Sequence, residues 1–252
     1  MEISASILAA NYTDLEPGGL YYEVNEKVDR TKRIHLDLAD DNFAKKQIGV
    51  ETFNFIIRTG GLNGRSIDIH LMMDEYPDYI TDEFRGNNAD DGKCISSITF
   101  HLESKGIFDF LDKVPRTFSN DGKINPKFND LKLNKDELPL PEDGVEFWPY
   151  ESPYKINIGI GILPDTNILE FADFYYSFVP NIDSVLLLCV SPGFSNQEPI
   201  VNPIDRVKEF KKLLPDFKGS ITVDGGVSNE MLKDLESIGV DIAVQGGAIF
   251  GK

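Results

Sequence analysis

The chain has 252 residues, 41% of them hydrophobic, enough to bury one large core and close to the usual length of a single α/β barrel. A formal charge of -17 argues against nucleic acid as a partner, since backbone phosphates call for a basic patch. No run of about 18 apolar residues and no basic-then-apolar leader is present, so neither a membrane span nor a secretory signal is expected, and a cytoplasmic protein is. Cys94 and Cys189 lack a CxxC neighbour, which argues against a disulfide framework or a thiolate zinc site.

Short apolar, β-branched segments alternate with helical or turn-rich stretches, the pattern of parallel strands joined by crossover helices. Eight strands are expected: Ile3 to Leu8, Arg33 to Leu38, Ser66 to Leu71, Ser97 to Leu102, Ile156 to Leu163, Ser184 to Val190, Ser220 to Asp224 and Asp241 to Gln245. Helices are expected at about Gly49 to Arg58, Asp165 to Ser177, Pro203 to Leu214 and Ser228 to Ile238, with a shorter one near Leu20 to Val28. Ser228 reads as the N-cap of the last long helix. The fold class is therefore α/β, a (β/α)8 TIM barrel forming one domain over residues 1–252. Two features break its regularity. Residues 114–154, rich in Pro, Asn, Asp and Gly, are too long for an ordinary connection and read as an inserted excursion, in which Trp148 sits beside Phe147 and Tyr150. After the eighth strand almost no sequence remains, so the eighth helix is expected to be missing.

Only three histidines occur, His35, His70 and His101, each in or at the end of an expected strand. In IHLDL the two-residue spacing of His35 and Asp37 puts both side chains on one side of the strand. His70 ends the third strand and Asp224 the seventh. Such a His, Asp, His, Asp set can converge on one divalent ion, with ligand types suited to Zn²⁺, Fe²⁺, Mn²⁺ or Co²⁺. The alternative is that strand histidines are simply satisfied polar residues of a barrel interior. Position favours the metal, because barrels keep their active sites at the carboxyl ends of the strands. The last three strands run into SPGFSNQ, DGG and QGGAIFG. Glycines there let backbone N–H groups approach an anion, and this quadrant of a barrel commonly holds phosphate.

These residues resemble those of the ribulose-phosphate 3-epimerase family and the related hexulose-phosphate epimerases. SILAANY resembles SILSADF, IHLDLAD resembles IHVDVMD, and DIHLM resembles DVHLM. ITFHLE, VSPGFSNQ, TVDGGV and GGAIFG resemble ITVHVE, VNPGFGGQ, EVDGGV and GSAIFG in the same order. The resemblance implies that His35, Asp37, His70 and Asp224 hold one divalent metal. It implies that Asp37 and Asp224 exchange protons with carbon 3 of a ketose phosphate from opposite faces, through a metal-stabilised enediolate. Ser6 and His70 would contact the substrate and Met72 would line its pocket. Gly193, Phe194, Ser195, Asn196, Gly225, Gly226, Gly246 and Gly247 would cradle the phosphate. His101 matches a family position but is given no proton-transfer role. The family's oligomeric habit implies a homo-oligomer.

The chain also departs from the family. Ala39-Asp40-Asp41-Asn42-Phe43-Ala44-Lys45-Lys46 stands where MDGHFVPN is usual, Leu188 and Leu163 replace a Met and an Asn, and Ser195-Asn196 replaces Gly-Gly. D-ribulose 5-phosphate is the leading substrate; a hexulose phosphate, or a non-catalytic sugar-phosphate-binding paralogue, are the alternatives. A lyase or decarboxylase of the same fold is disfavoured because no expected strand ends in the lysine such sites commonly use.

Overall fold

A computed structural model describes residues 1–10, 19–29, 33–44, 65–76, 95–113, 156–178 and 182–251. The expected helix at about 49–58, the excursion at 114–154 and Cys94 lie outside the described residues.

Eight parallel strands close into a barrel in sequence order: β1 (Glu2–Ser6), β2 (Arg33–Ala39), β3 (Ile67–Met72), β4 (Ile95–His101), β5 (Asn157–Ile162), β6 (Ser184–Leu188), β7 (Ser220–Asp224) and β8 (Ile242–Gln245). The alternation of side chains decides which face goes where. In β2, Ile34, Leu36 and Leu38 join the main apolar core, and in β3 so do Ile67, Ile69 and Leu71. The intervening residues, Arg33, His35 and Asp37 on β2 and Asp68 and His70 on β3, carry polar groups instead. The register pairs Ser6 with His35 and Asp37 with His70, so Asp37 and His70 stand side by side with His35 two residues earlier on the same side of β2.

The helices cover the apolar side of the strands. Pro203–Leu213 starts as a sequence reader would expect: Asn202 Oδ1 accepts from the N–H groups of Ile204 and Asp205, with Pro203 in the first turn. Its Phe210 meets Phe171 of helix Ile168–Phe178 at 5.6 Å between ring centroids. That helix begins later than expected. Residues before it form a turn, and Asn167 Oδ1 accepts from Leu169 N–H to start the helix instead.

Two sequence expectations are corrected near the end of the chain. The helix expected from Ser228 opens as a 3₁₀ turn, Asn229–Met231, before the α-helix Leu232–Ser237, and the Ser228 hydroxyl makes no cap hydrogen bond. The residues after β8 do form a helix, a single turn Gly247–Phe250 closed by Gly251 in the left-handed conformation. Phe250 is buried, and its carbonyl accepts from Lys27 Nζ, which ties this turn to helix Gly19–Lys27.

At the amino end of the barrel Arg33 grips Asp68 with Nη2 2.6 Å from Oδ1 and Nε 2.9 Å from Oδ2. Ser4 and Ser97 donate to the same carboxylate. Burial alone would raise the Asp68 pKa, but the guanidinium outweighs it and holds the carboxyl below its usual range. Replacing Arg33 with Met strands this buried charge, and we expect a loss of about 3–5 kcal/mol of stability. A urea unfolding midpoint equal to that of the parent protein would refute the assignment.

Candidate active site

The period-two spacing of IHLDL delivers His35 and Asp37 to the carboxyl end of β2, and DIHLM delivers His70 to the same level on β3. Asp224 closes the group from the last position of β7. One ligand-type atom from each of these four residues lies within 4.8 Å of all the others. His70 Nδ1 is 3.0 Å from Asp37 Oδ1 and 3.6 Å from Asp224 Oδ2. His35 Nε2 is 3.3 Å from Asp37 Oδ1 and 3.7 Å from Asp224 Oδ2. Ser6 Oγ donates to the other oxygen of Asp37 at 2.7 Å.

His35 is only 2% exposed, yet neither of its ring nitrogens has a hydrogen-bond partner. Leaving a buried polar atom unpaired costs about 1–3 kcal/mol, so an unpartnered nitrogen aimed between two carboxylates calls for another occupant. The four residues fit a divalent cation: imidazole and carboxylate donors, buried, converging and of compensating charge.

Electrostatics here are set by crowding. Burial opposes charge on His35, but the Asp37 and Asp224 carboxylates outweigh it and carry its pKa up to about 9. Burial would likewise raise Asp37, yet the two imidazoles hold it well below the usual carboxylate range. His70 is raised for the same reason as His35, its burial being overcome by hydrogen bonds to Asp224 and Asp37. His101, not a member of the four, is held low because burial, with His70 beside it, prevails over Glu103.

Above the four residues opens a cleft of about 360 Å³. Ser6, Asp37, Met72 and Asp224 line its floor, and the loops after β6, β7 and β8 line its wall. All of the residues that the resemblance assigned to the cradle, Gly193, Phe194, Ser195, Asn196, Gly225, Gly226, Gly246 and Gly247, border this one space. Gly225 and Gly226 have φ of 94° and 67°, and a Cβ on either would come within 2.6 Å of Val190 or 2.8 Å of Pro199. Asn196, standing where the family has glycine, adopts φ of 58°, a conformation that Asn tolerates better than most residues. Gln197 Nε2 donates to the carbonyls of Ser191 and Phe194 and pins the loop from within.

The loop after β2, so different from the family's, is internally organised. Asp40 Oδ1 accepts from the N–H groups of Asn42 and Phe43, while Oδ2 accepts from Asp74 N–H. This turns Phe43 onto the ring of His101, 4.9 Å away. Phe43 and Glu103 are site-shaping residues that reading the sequence did not single out. Both carried a signal: Glu103 follows His101 by two residues at the end of a strand, and Phe43 stands at the Phe of the MDGHFVPN pattern.

Comparison with known proteins points to sugar-phosphate enzymes. A family model described as the ribulose-phosphate 3 epimerase family matches residues 156–250. The ribulose-phosphate 3-epimerase of Treponema pallidum (strain Nichols) is 23% identical over 251 residues, spanning 98% of this chain and 90% of that protein. Its counterpart from Buchnera aphidicola subsp. Baizongia pistaciae is 25% identical over 98% of this chain and 88% of its own length. Among solved structures, 3-hexulose-6-phosphate synthase from Salmonella typhimurium superposes with a TM-score of 0.59 at 12% identity, over 100% of this chain and 92% of the other. That likeness shows the barrel and no more. The family model covers the last four strands of the barrel, and over nearly its whole length the chain is similar to ribulose-phosphate 3-epimerases.

Proposed function

We propose that the protein is an isomerase that inverts carbon 3 of a ketose phosphate, with D-ribulose 5-phosphate and D-xylulose 5-phosphate as its reaction pair. The observation that carries this reading is the convergence of Asp37 and Asp224 with His35 and His70 on the floor of a cleft walled by glycine-rich loops. The similarity of the chain to ribulose-phosphate 3-epimerases supports it.

Epimerisation beside a ketone needs a base on one face of the carbon and an acid on the other. Asp37 and Asp224 stand on β2 and β7, so they reach the cleft floor from different parts of the barrel wall. Two carboxylates gathered around one point give the reaction an acceptor on one side of the carbon and a donor on the other. Ser6 holds Asp37 by one oxygen and leaves the other toward the imidazoles. Met72 is buried against Ala39, Ala44 and Phe43 and presents an apolar edge that keeps water from the reacting carbon. The loops after β6 to β8 offer backbone N–H groups to the phosphate.

His35, Asp37, His70 and Asp224 would hold a divalent cation, Zn²⁺, Fe²⁺, Mn²⁺ or Co²⁺. When bound, such an ion supplies positive charge to the oxygens that become electron-rich as the proton leaves. Its ligands must be deprotonated. Because the His35 pKa is raised to about 9, the metal-free site holds a proton there at pH 7 that the ion must displace. Metal affinity is therefore expected to rise by about tenfold per pH unit per displaced proton up to about pH 9, and to level off above it. Zinc titrations in buffers of different ionisation enthalpy measure the released protons; affinity independent of pH from 7 to 9 would contradict this.

The direct test of function is NMR of ribulose 5-phosphate in D₂O with Zn²⁺, Mn²⁺ or Fe²⁺ added. Metal-dependent exchange at carbon 3 with xylulose 5-phosphate appearing is the expected result. Asp37→Asn and Asp224→Asn should each lower turnover by at least about 100-fold while the protein stays folded. Near-normal turnover in either variant would sink the two-aspartate mechanism. Absence of exchange with every ketose phosphate tried, hexulose phosphates included, would sink the enzymatic reading.

A further inference from the structure

His70 uses both of its ring nitrogens. Nδ1 faces Asp37 and Asp224, and Nε2 lies 2.8 Å from Nε2 of His101. Two ring nitrogens at that distance share one hydrogen, so one ring donates and the other accepts. Which does which decides the chemistry of the site. If His70 donates through Nε2, the hydrogen that Nδ1 directs at Asp37 in the metal-free site is the one a cation would displace, and Nδ1 would then turn a lone pair into the ligand cluster. If His101 donates, the hydrogen of neutral His70 sits on Nδ1 and blocks it.

The far side of His101 settles the direction. Its Nδ1 is 3.0 Å from Glu103 Oε2. The other oxygen of Glu103 accepts from Leu163 N–H at 2.8 Å and from the Thr166 hydroxyl. Arg206 secures that turn by donating from Nη2 to the carbonyls of Leu163 and Thr166. A carboxylate so surrounded by donors accepts only, and it fixes the hydrogen of His101 on Nδ1. His101 Nε2 is left as an acceptor, and His70 must donate to it.

The rings have little freedom to escape this arrangement. Their planes are 28° apart and their centroids 5.0 Å, so the rings meet end to end through the two Nε2 atoms. Phe43 packs on the outer side of His101, and on β5 a Cβ at Gly161 would lie 3.1 Å from His101 Nε2. The backbone N–H of His101 donates to the Tyr76 hydroxyl at 2.7 Å, which anchors the strand end itself.

We propose that Glu103 is a positioning residue that acts through His101 to fix the tautomer of His70, so that His70 Nδ1 is presented as a metal ligand. The proposal rests on the metal-centre reading given above. It makes the specificity of the site for a cation depend on a carboxylate that touches neither cation nor substrate.

The isosteric variant Glu103→Gln gives a sharp test. Leu163 N–H requires an oxygen opposite it, which turns the amide NH₂ toward His101 Nδ1. That reverses the direction of the whole chain and places a hydrogen on His70 Nδ1. Glu103→Ala removes the constraint without reversing it. Zinc affinity, measured by competition with a chromophoric chelator, is expected to fall by about 10–100-fold in Glu103→Gln and by less in Glu103→Ala. ¹⁵N spectra of the histidines should show His101 protonated at Nδ1 in the zinc-loaded parent and at Nε2 in Glu103→Gln. A purely packing role predicts the opposite order, with the isostere harmless and the truncation damaging, and that order would overturn the proposal. A His101 proton found on Nε2 in the parent would overturn it as well. Failure of the parent to take up zinc would remove the metal centre itself, whereas zinc uptake with equal affinity in parent and Glu103→Gln would remove only the role of Glu103.

Discussion

Four titratable groups packed within 4.8 Å of one another form the constraint on which the rest of the site depends. Two carboxylates brought together in a buried place repel unless something positive lies between them. Here the imidazoles of His35 and His70 supply that charge in part by holding protons, which is why both are raised while Asp37 is lowered. Protonated imidazoles, however, are poor ligands, and His35 has no hydrogen-bond partner within the usual distance. A divalent cation held by these four residues would replace the protons and take up one ring nitrogen of His35.

A barrel can bear this crowding because its two faces are chemically separate. The residues that point toward the helices are Ile, Leu, Val and Phe and build one continuous core. Polar residues that alternate with them collect in two places, the Arg33–Asp68 pair toward the amino end and the His–Asp group at the carboxyl end. In the lower pair the buried Asp68 carboxylate has a bidentate guanidinium partner and hydroxyl donors, so its charge is satisfied. The upper end keeps two unpartnered nitrogens and an open cleft. The same alternation of side chains thus yields a satisfied structural layer and an unsatisfied, reactive one.

What the sequence made legible follows from this alternation. IHLDL, DIHLM and TVDGG announce their strand and their inward residues together, because a period of two leaves no choice of face once the apolar set is recognised. Strand ends were placed within two residues throughout, the expected β6 running two residues long because Cys189 and Val190 continue the apolar run beyond the ladder. Less was legible where a side chain had alternatives. Ser228 has the residue type of a cap but does not serve as one, because the chain enters its helix through a 3₁₀ turn. Phe43 reaches His101 only through the side-chain bonds of Asp40, a local turn that no periodicity encodes. The turn Gly247–Phe250 forms on residues that seemed too few for a helix, held by Gly251 and Lys27.

The acidity of the chain bears on substrate binding in a way the fold makes specific. An anionic phosphate approaching a protein of charge -17 meets an unfavourable long-range field, though salt screens it beyond about 8 Å. Among the described residues no lysine or arginine lines the cleft, and Asp37, Asp224 and Glu198 add negative charge to it. Attraction must therefore come from within a few ångströms: from uncharged N–H donors in the glycine loops and from whatever cation the four ligands hold. Such donors act only when the backbone is held in the right turn, so the positive φ of Gly225, Gly226 and Asn196 matters here as much as a charge would elsewhere. With so little fixed positive charge in the walls, affinity for an anionic substrate would depend on a cation held by the four ligands. The hydrogen-bond chain through His101 and Glu103 would then govern binding as well as chemistry.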